Sequence, residues 1–208
     1  MRKMYFTSDW HLGHVNIIKF SKRPFKDIDH MHRVLINNYN AVVRPEDTCY
    51  FLGDMGMTKK DIMRPLVEQL NGTKVLLLGN HDRHRTFMEE CGFDIVLYGA
   101  VFNIAKELVT ASHCPLRGLY REDTSQMKGN NPGDNWYGET KKKHQPFILD
   151  NFGQFHLHGH VHSPNRGRSK RIEGRQIDVG VDANQYRPVS MSQIESWIAL
   201  TKKMEGTK

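Results

Sequence analysis

The sequence predicts an α/β fold whose sheet is parallel or mixed and covered by helices. Two observations carry this reading. The N-terminal half alternates short apolar runs with amphipathic stretches in a β-α-β-α-β order. Nearly every run then ends in acidic, amide or imidazole residues instead of an ordinary polar turn.

The elements follow in chain order. Residues 3–7 read as a strand that passes into Asp9-Trp10-His11. Met31, Leu35, Tyr39 and Val42 recur near helical spacing, and Arg44-Pro45-Glu46-Asp47 turns the chain into a strand at 48–52, ahead of Gly53-Asp54. Ile62, Leu66 and Leu70, with Met63 and Val67 beside them, describe a second amphipathic helix. Asn71-Gly72 ends it, and Pro65 either kinks it or marks its start. Residues 74–78 form a continuous apolar strand of the buried kind, ahead of Gly79-Asn80-His81-Asp82.

The second half changes character. Residues 96–105 and 107–112 read as adjacent strands of a meander, the second leading to His113. Residues 117–138 are polar, rich in Gly, Asn and charge, and without periodicity; so long a loop in a compact domain is functional or disordered. Residues 141–151 read as a short helix before a strand at 154–157 that leads to Gly159-His160-Val161-His162. Residues 166–175 are a basic turn, read as a hairpin tip, before a strand at 176–181. Ser190 and Gln193 make a capping box ahead of Ile194, Trp197, Ile198 and Leu200, a closing helix. No linker composition interrupts the 208 residues, so one domain spanning 1–208 is expected, with a long loop at 117–138 and a basic hairpin at 166–175.

Bulk properties narrow the class. The first residues turn polar too soon for a secretory leader, and no apolar run reaches bilayer-crossing length, so a cytoplasmic location without a membrane partner is expected. Cys49, Cys91 and Cys114 are an odd, sparse set that reads as small core residues in a reducing compartment. The net charge of +7 favours an anionic partner without identifying one.

Side chains at neighbouring strand ends can meet although they lie far apart in sequence, which is how a metal site is assembled from pieces. Two carboxylates, one amide oxygen and four imidazoles are too many ligands for one tetrahedral ion and suit two ions sharing a bridge. Asp9 and Asp54 supply two negative charges and Asn80 and the histidines none, so two divalent cations would keep an excess of about two positive charges, or about one with a bridging hydroxide. Such a centre attracts phosphate, and paired ions ~3.5–4 Å apart activate water and clamp phosphate oxygens for in-line displacement. The mixed N/O set argues against Mg²⁺ or Ca²⁺ alone and the lack of Cys against structural zinc. Mn²⁺ is the first choice, with Fe, Zn²⁺, Ni²⁺ and Co²⁺ open.

The series D-x-H, G-D, G-N-H-D, a lone His after a strand, and G-H-x-H resembles the calcineurin-like metallophosphoesterase family, with all five blocks in order across positions 9 to 162. The stretch from Phe6 to Ile18, with Gly180-Val181-Asp182 and Tyr186-Arg187-Pro188-Val189, resembles a small bacterial and phage branch of it. The resemblance implies a four-layer αββα sandwich with two mixed sheets. It also implies that Asp9, His11 and His162 hold a first ion, Asp54 bridges, and Asn80, His113 and His160 complete a second. His81 would stabilise the transition state at the scissile phosphate or protonate the leaving oxygen. The protein-phosphatase branch carries a further Asp and Arg in its second block; Gly53-Asp54-Met55-Gly56-Met57-Thr58 has neither, which argues against that branch.

Other residues admit two readings. Asp82 orients His81 or caps the next helix, the cap being the simpler role. His14 contacts substrate or a ligand carboxylate, or is an ordinary loop histidine. Asp182 supports the site through a histidine or belongs to a turn. His158 is assigned to the core or to a supporting role, and His30, His32, His84, His144 and His156 to surface or helix positions. Arg166, Arg168, Lys170, Arg171 and Arg175, with Arg117, Arg121, Lys128 and residues 141–144, form either a phosphate-tracking surface for nucleic acid or a solvated face. Trp136 and Tyr137 stack on a base or anchor the loop. The expected function is dinuclear-metal hydrolysis of phosphate esters, first as a phosphodiesterase on a nucleotide or nucleic-acid type substrate. The alternatives are a phosphomonoesterase on a small nucleotide or sugar phosphate and, outside catalysis, a metal-stabilised nucleic-acid or protein binding module.

Overall fold

A computed structural model describes residues 2–116, 148–163 and 172–207. The chain runs β1 (Met4–Thr7), α1 (Ile17–Phe20), α2 (Ile28–Asn40), β2 (Thr48–Phe51), α3 (Lys60–Val67), β3 (Thr73–Leu77), α4 (Arg85–Glu90) and β4 (Ile95–Leu97). It continues through β5 (Ala100–Ile104), β6 (Glu107–Ala111), β7 (Phe155–His158), β8 (Ile172–Glu173), β9 (Gln176–Asp178) and β10 (Val189–Ser190) to a closing helix, α5 (Met191–Glu205). The strands form two mixed sheets, ordered β10-β1-β2-β3-β4 and β5-β6-β7-β9-β8. In the first, β1 to β4 are parallel and β10 is antiparallel. In the second, β6, β7 and β9 are parallel and the edges β5 and β8 antiparallel.

Successive residues of a strand point to opposite faces, and the core divides accordingly. Tyr5, Phe51 and Leu76 turn towards the helices, joining Met31, Leu35, Tyr39, Met63, Val67 and Met88. Their neighbours Phe6, Leu52 and Leu77 turn the other way and meet Val109, Ala111, Phe155, Leu157 and Ile177 of the second sheet, with Ile194 and Ile198 of α5. The result is an α/β sandwich of helix layer, sheet and sheet. The outer face of the second sheet carries the buried polar residues His156, His158, Gln176 and Asp178. Part of its cover is visible: Leu116 N–H donates to Gln176 Oε1 at 2.6 Å, and His156 Nε2–H donates to the Cys114 carbonyl at 3.0 Å. The fourth layer expected from the resemblance is not seen among the described residues, and the expected loop 117–138, Arg117, Trp136, Tyr137 and Arg166 lie outside them.

Several expectations need correction. The strand read at 96–105 is two strands: β4 closes the first sheet beside β3, and the chain crosses at Tyr98-Gly99 to begin the second sheet as β5. Helix α3 stops at Val67, earlier than the apolar spacing through Leu70 suggested, and Pro65 lies inside it. Residues 148–151 are not helical, and the remainder of the helix expected at 141–151 lies outside the described residues. The strand expected at 176–181 is ladder-paired only over Gln176–Asp178; Gly180 instead bridges to Ser8 and joins the two sheets at one end. The hairpin between β8 and β9 turns at Gly174-Arg175, and Arg175 pairs with Glu205 of α5. The three cysteines are buried and free. Among the described residues no helix is long and apolar enough to cross a membrane.

Candidate metal centre

Parallel strands converge their C-terminal ends on one crevice, and here both sheets contribute. Asp9 and His11 follow β1, Asp54 follows β2, Asn80 and His81 follow β3, His113 follows β6, and His160 and His162 follow β7. The backbone turns sharply at each exit. Asp9, His11, Asp54, His160 and His162 all have left-handed φ, at 61, 54, 55, 71 and 46°. Non-glycine residues hold that conformation at a cost of about 1–3 kcal/mol each when strained, and such residues cluster at functional sites. Hydrogen bonds hold them here: Asp9 N–H to Gly53 O (3.0 Å), His11 N–H to Asp54 O (2.9 Å) and His160 N–H to Asp9 Oδ2 (2.9 Å). Two glycines make the convergence sterically feasible. Gly53 sits at φ 89°, where a Cβ would run into the His113 ring and the Gly79 backbone; a Cβ at Gly159 would collide with Ser8 Oγ and the Asp9 carboxylate.

Two groups of donor atoms share the crevice. In the first, His11 Nε2 lies 3.2 Å from His162 Nε2, and His162 Nε2 lies 3.9 Å from Asp9 Oδ1. In the second, His113 Nε2 faces Asn80 Oδ1 at 2.9 Å and His160 Nδ1 at 3.0 Å. Asp54 Oδ2 stands between them, 3.6 Å from His11 Nε2 and 3.3 Å from His113 Nε2. All of these residues except His162 are buried.

The donor chemistry fits metal ions. His113 Nδ1–H donates to the Leu52 carbonyl at 2.7 Å, so the neutral ring turns its lone pair towards Asn80 Oδ1, Asp54 Oδ2 and His160 Nδ1. Acceptors packed this closely repel unless a proton or a metal cation lies among them. Asp9 Oδ1 is buried with no hydrogen-bond partner among the described residues, which is costly for a carboxylate oxygen unless a cation serves as its partner. Asp9, His11 and His162 could hold one ion, and Asp9, Asp54 and His113 are spaced to share another. Cys114 also approaches His113 and His160. Burial first, and the Asp54 and Asp9 carboxylates next, push its thiol pKa up, so it stays a protonated core residue.

Charge follows the same geometry. Burial raises the Asp9 pKa to about 6, against the pull of His162 and His113. Burial also opposes ionisation of Asp54, but His113, His11 and His81 outweigh it and hold the carboxyl well below its usual range. Burial opposes protonation of His113, but Asp54 carries its pKa up to about 9, so without metal a proton stands among these acceptors where a cation would.

The surrounding residues occupy defined places. His81 N–H donates to Asp54 Oδ1 at 2.9 Å, and its half-buried ring reaches within 4.0 Å of Asp54 Oδ2 at the rim. His14 stands beside His11, with Nδ1 atoms 3.4 Å apart. Asp82 does not cap α4, whose N-cap is His84. The tight 79–82 turn folds its carboxylate back onto the chain, where it accepts the N–H groups of Gly79, Asp54 and Met55 at 2.8, 2.9 and 2.8 Å. Asp182 unites both of its readings. It belongs to the 181–186 turn, and its Oδ2 accepts His162 Nδ1–H at 2.7 Å. His156 is a buried strand residue and not a surface one. Sequence reasoning missed Arg23, which grips Asp182; in Lys22-Arg23-Pro24 nothing distinguishes a buried arginine from a solvated one.

The fold and the crevice define a two-sheet α/β protein with a buried Asp/His centre able to hold metal ions. No family model matches the chain. It is similar to uncharacterized protein MJ1445 of Methanocaldococcus jannaschii, with 33% identity over 199 residues, covering 93% of this chain and 90% of that one. The Gene 66 protein of Mycobacterium phage L5 is 31% identical over 213 residues, 99% of each. The crystal structure of AQ665, a protein of unknown function from Aquifex aeolicus, superposes with a TM-score of 0.66 at 28% identity, covering 95% of this chain and 100% of that one. The chain belongs to the family of MJ1445 and the phage gene 66 protein.

Proposed function

We propose that this chain hydrolyses phosphate esters with the help of two divalent ions, acting as a phosphodiesterase on a nucleotide or nucleic-acid type substrate. The supporting observation is the division of labour in the crevice: seven donor residues converge, and His81 stands apart at the rim with its backbone tied to one of them. Asp9, His11 and His162 would hold one ion and Asn80, His113 and His160 the other, with Asp54 shared and Mn²⁺ the expected metal. Such ions supply Lewis-acid charge for a phosphate and an activated water.

The chain's own groups supply position and a proton. Asp54 Oδ1 accepts the His81 N–H while Oδ2 faces His11 and His113, so one carboxylate sets both the ligand geometry and the place of His81. From the rim, the His81 ring can hydrogen-bond a phosphoryl oxygen or protonate the departing ester oxygen. The buried floor strengthens each of these electrostatic contacts. The net charge of +7 and the basic run of 166–175 favour a nucleotide-containing substrate over a small monoester.

The test is hydrolysis of bis(p-nitrophenyl) phosphate by Mn²⁺-loaded protein, with the mono ester as comparison. His81→Ala should lower kcat by about 10²-fold or more while bound metal is retained, and Asp54→Ala should lose both. A wild type that cleaves no phosphate ester with Mn²⁺, Fe²⁺, Zn²⁺, Ni²⁺ or Co²⁺ defeats the reading. Nucleic-acid binding that survives His81→Ala without turnover would favour the binding module instead.

A further inference from the structure

Arg23 carries a buried charge behind the first donor group. Its side chain is 0% exposed and Asp182 beside it 3%. Nε and Nη2 grip Asp182 Oδ1 and Oδ2 at 2.9 and 2.8 Å, Nη2 also donates to the Asp9 carbonyl at 2.6 Å, and Nη1 donates to the Trp10 carbonyl at 3.1 Å. Asp182 Oδ2 in turn accepts His162 Nδ1–H at 2.7 Å, which leaves His162 Nε2 facing His11 and Asp9. One guanidinium thus touches the left-handed backbone of Asp9 directly and the ring of His162 through Asp182.

The second donor group is braced by other means. His113 is anchored on the Leu52 carbonyl, and Asp82 holds the Gly79–Asp54 contact. The hydrogen bonds of Arg23 reach none of Asn80, His113 and His160.

We propose that Arg23, acting through Asp182, is a positioning residue for the first ion position, so that its loss weakens that position and leaves the second in place. The inference rests on the two-ion reading above. Its physical basis is the planar fork of arginine, which holds Asp182 in one orientation and thereby one orientation and tautomer of the His162 ring. Outer partners of ligating histidines typically alter metal affinity 10- to 100-fold on mutation.

The experiment is calorimetric titration of the full chain with Mn²⁺ alone, with bound metal counted by mass spectrometry. Asp182→Asn keeps the shape of the acceptor and removes its charge. The double variant Arg23→Met/Asp182→Asn leaves no unpaired buried charge and covers the case in which a single variant does not fold. Wild type should take two ions. Both variants should keep one at wild-type affinity and bind the other about 10–100-fold more weakly; adding Asn80→Ala should leave no tight ion. General destabilisation cannot produce this selective loss. Two wild-type affinities in the folded variants, a parallel fall in both, or a wild type that does not take two ions overturns the proposal. No ester is cleaved in this assay, so a wild type that binds two ions and hydrolyses nothing refutes the reaction and leaves Arg23's role standing.

Discussion

Asp82 shows how a carboxylate in a chemistry-bearing motif can serve the backbone. Its oxygens accept N–H groups from Gly79, Asp54 and Met55, which ties the ends of β2 and β3 together beneath the crevice. Each buried donor left unsatisfied costs about 1–3 kcal/mol. Asp82→Ala should therefore lower the unfolding free energy by roughly 3–5 kcal/mol, measured by urea denaturation. His156 makes a different prediction. Its Nε2–H bonds the Cys114 carbonyl and its Nδ1 meets the Thr110 hydroxyl at 2.9 Å. Burial, and then the stacked His158, lower its pKa from 6.5 to about 3. The unfolded chain thus binds a proton that the folded chain refuses between those values. Its contribution to stability is present above about 6.5 and is lost as pH falls, by about 1.4 kcal/mol per unit. Urea unfolding followed from pH 7 to about 5 should show a shallower slope for His156→Gln. At this scale the sequence shows which residues can ligate, because D-x-H, G-N-H-D and G-H-x-H are chemical statements. It does not show that Asp82 faces backbone or that His156 is buried, because both depend on segments more than twenty residues away.

At the scale of elements, local signals were legible wherever they were stereochemical. Ser190 accepts the Gln193 N–H and Gln193 returns the bond, the capping box read from those two residues. Ser190→Ala should cost about 1 kcal/mol by thermal or chemical denaturation, because an N-terminal N–H of α5 loses its acceptor. Helix α2 was legible from the spacing of Met31, Leu35 and Tyr39, all buried on one face. The end of α3 was not: Leu70 is buried in the same cluster although it lies beyond the helix, so apolar spacing ran past the true boundary. The division of 96–105 was also hidden. A strand that leaves one sheet for another keeps its alternation, and only the partner strands β3 and β6 reveal the switch.

The whole molecule brings strand ends of two sheets to one crevice, joined where Ser8 meets Gly180. A bound cation would give the buried Asp9 Oδ1 a partner and offset the cost of left-handed backbone at Asp9, His11, Asp54, His160 and His162. Ions that bind the folded but not the unfolded chain stabilise it by about 2.7 kcal/mol at a hundredfold excess over Kd. Adding EDTA to Mn²⁺-loaded protein should therefore lower Tm by several degrees, by calorimetry, whereas Asp54→Ala should respond little.

By itself the sequence determined the α/β class and which residues are able to ligate, because strand periodicity and ligand chemistry are properties of short segments. Only the tertiary structure decided how those segments meet. It placed β4 and β5 in different sheets, turned Asp82 onto the backbone, buried His156, and set the guanidinium of Arg23 behind Asp9 and His162. Each of these depends on the burial and partners that distant parts of the chain provide, and neither is encoded within a few residues.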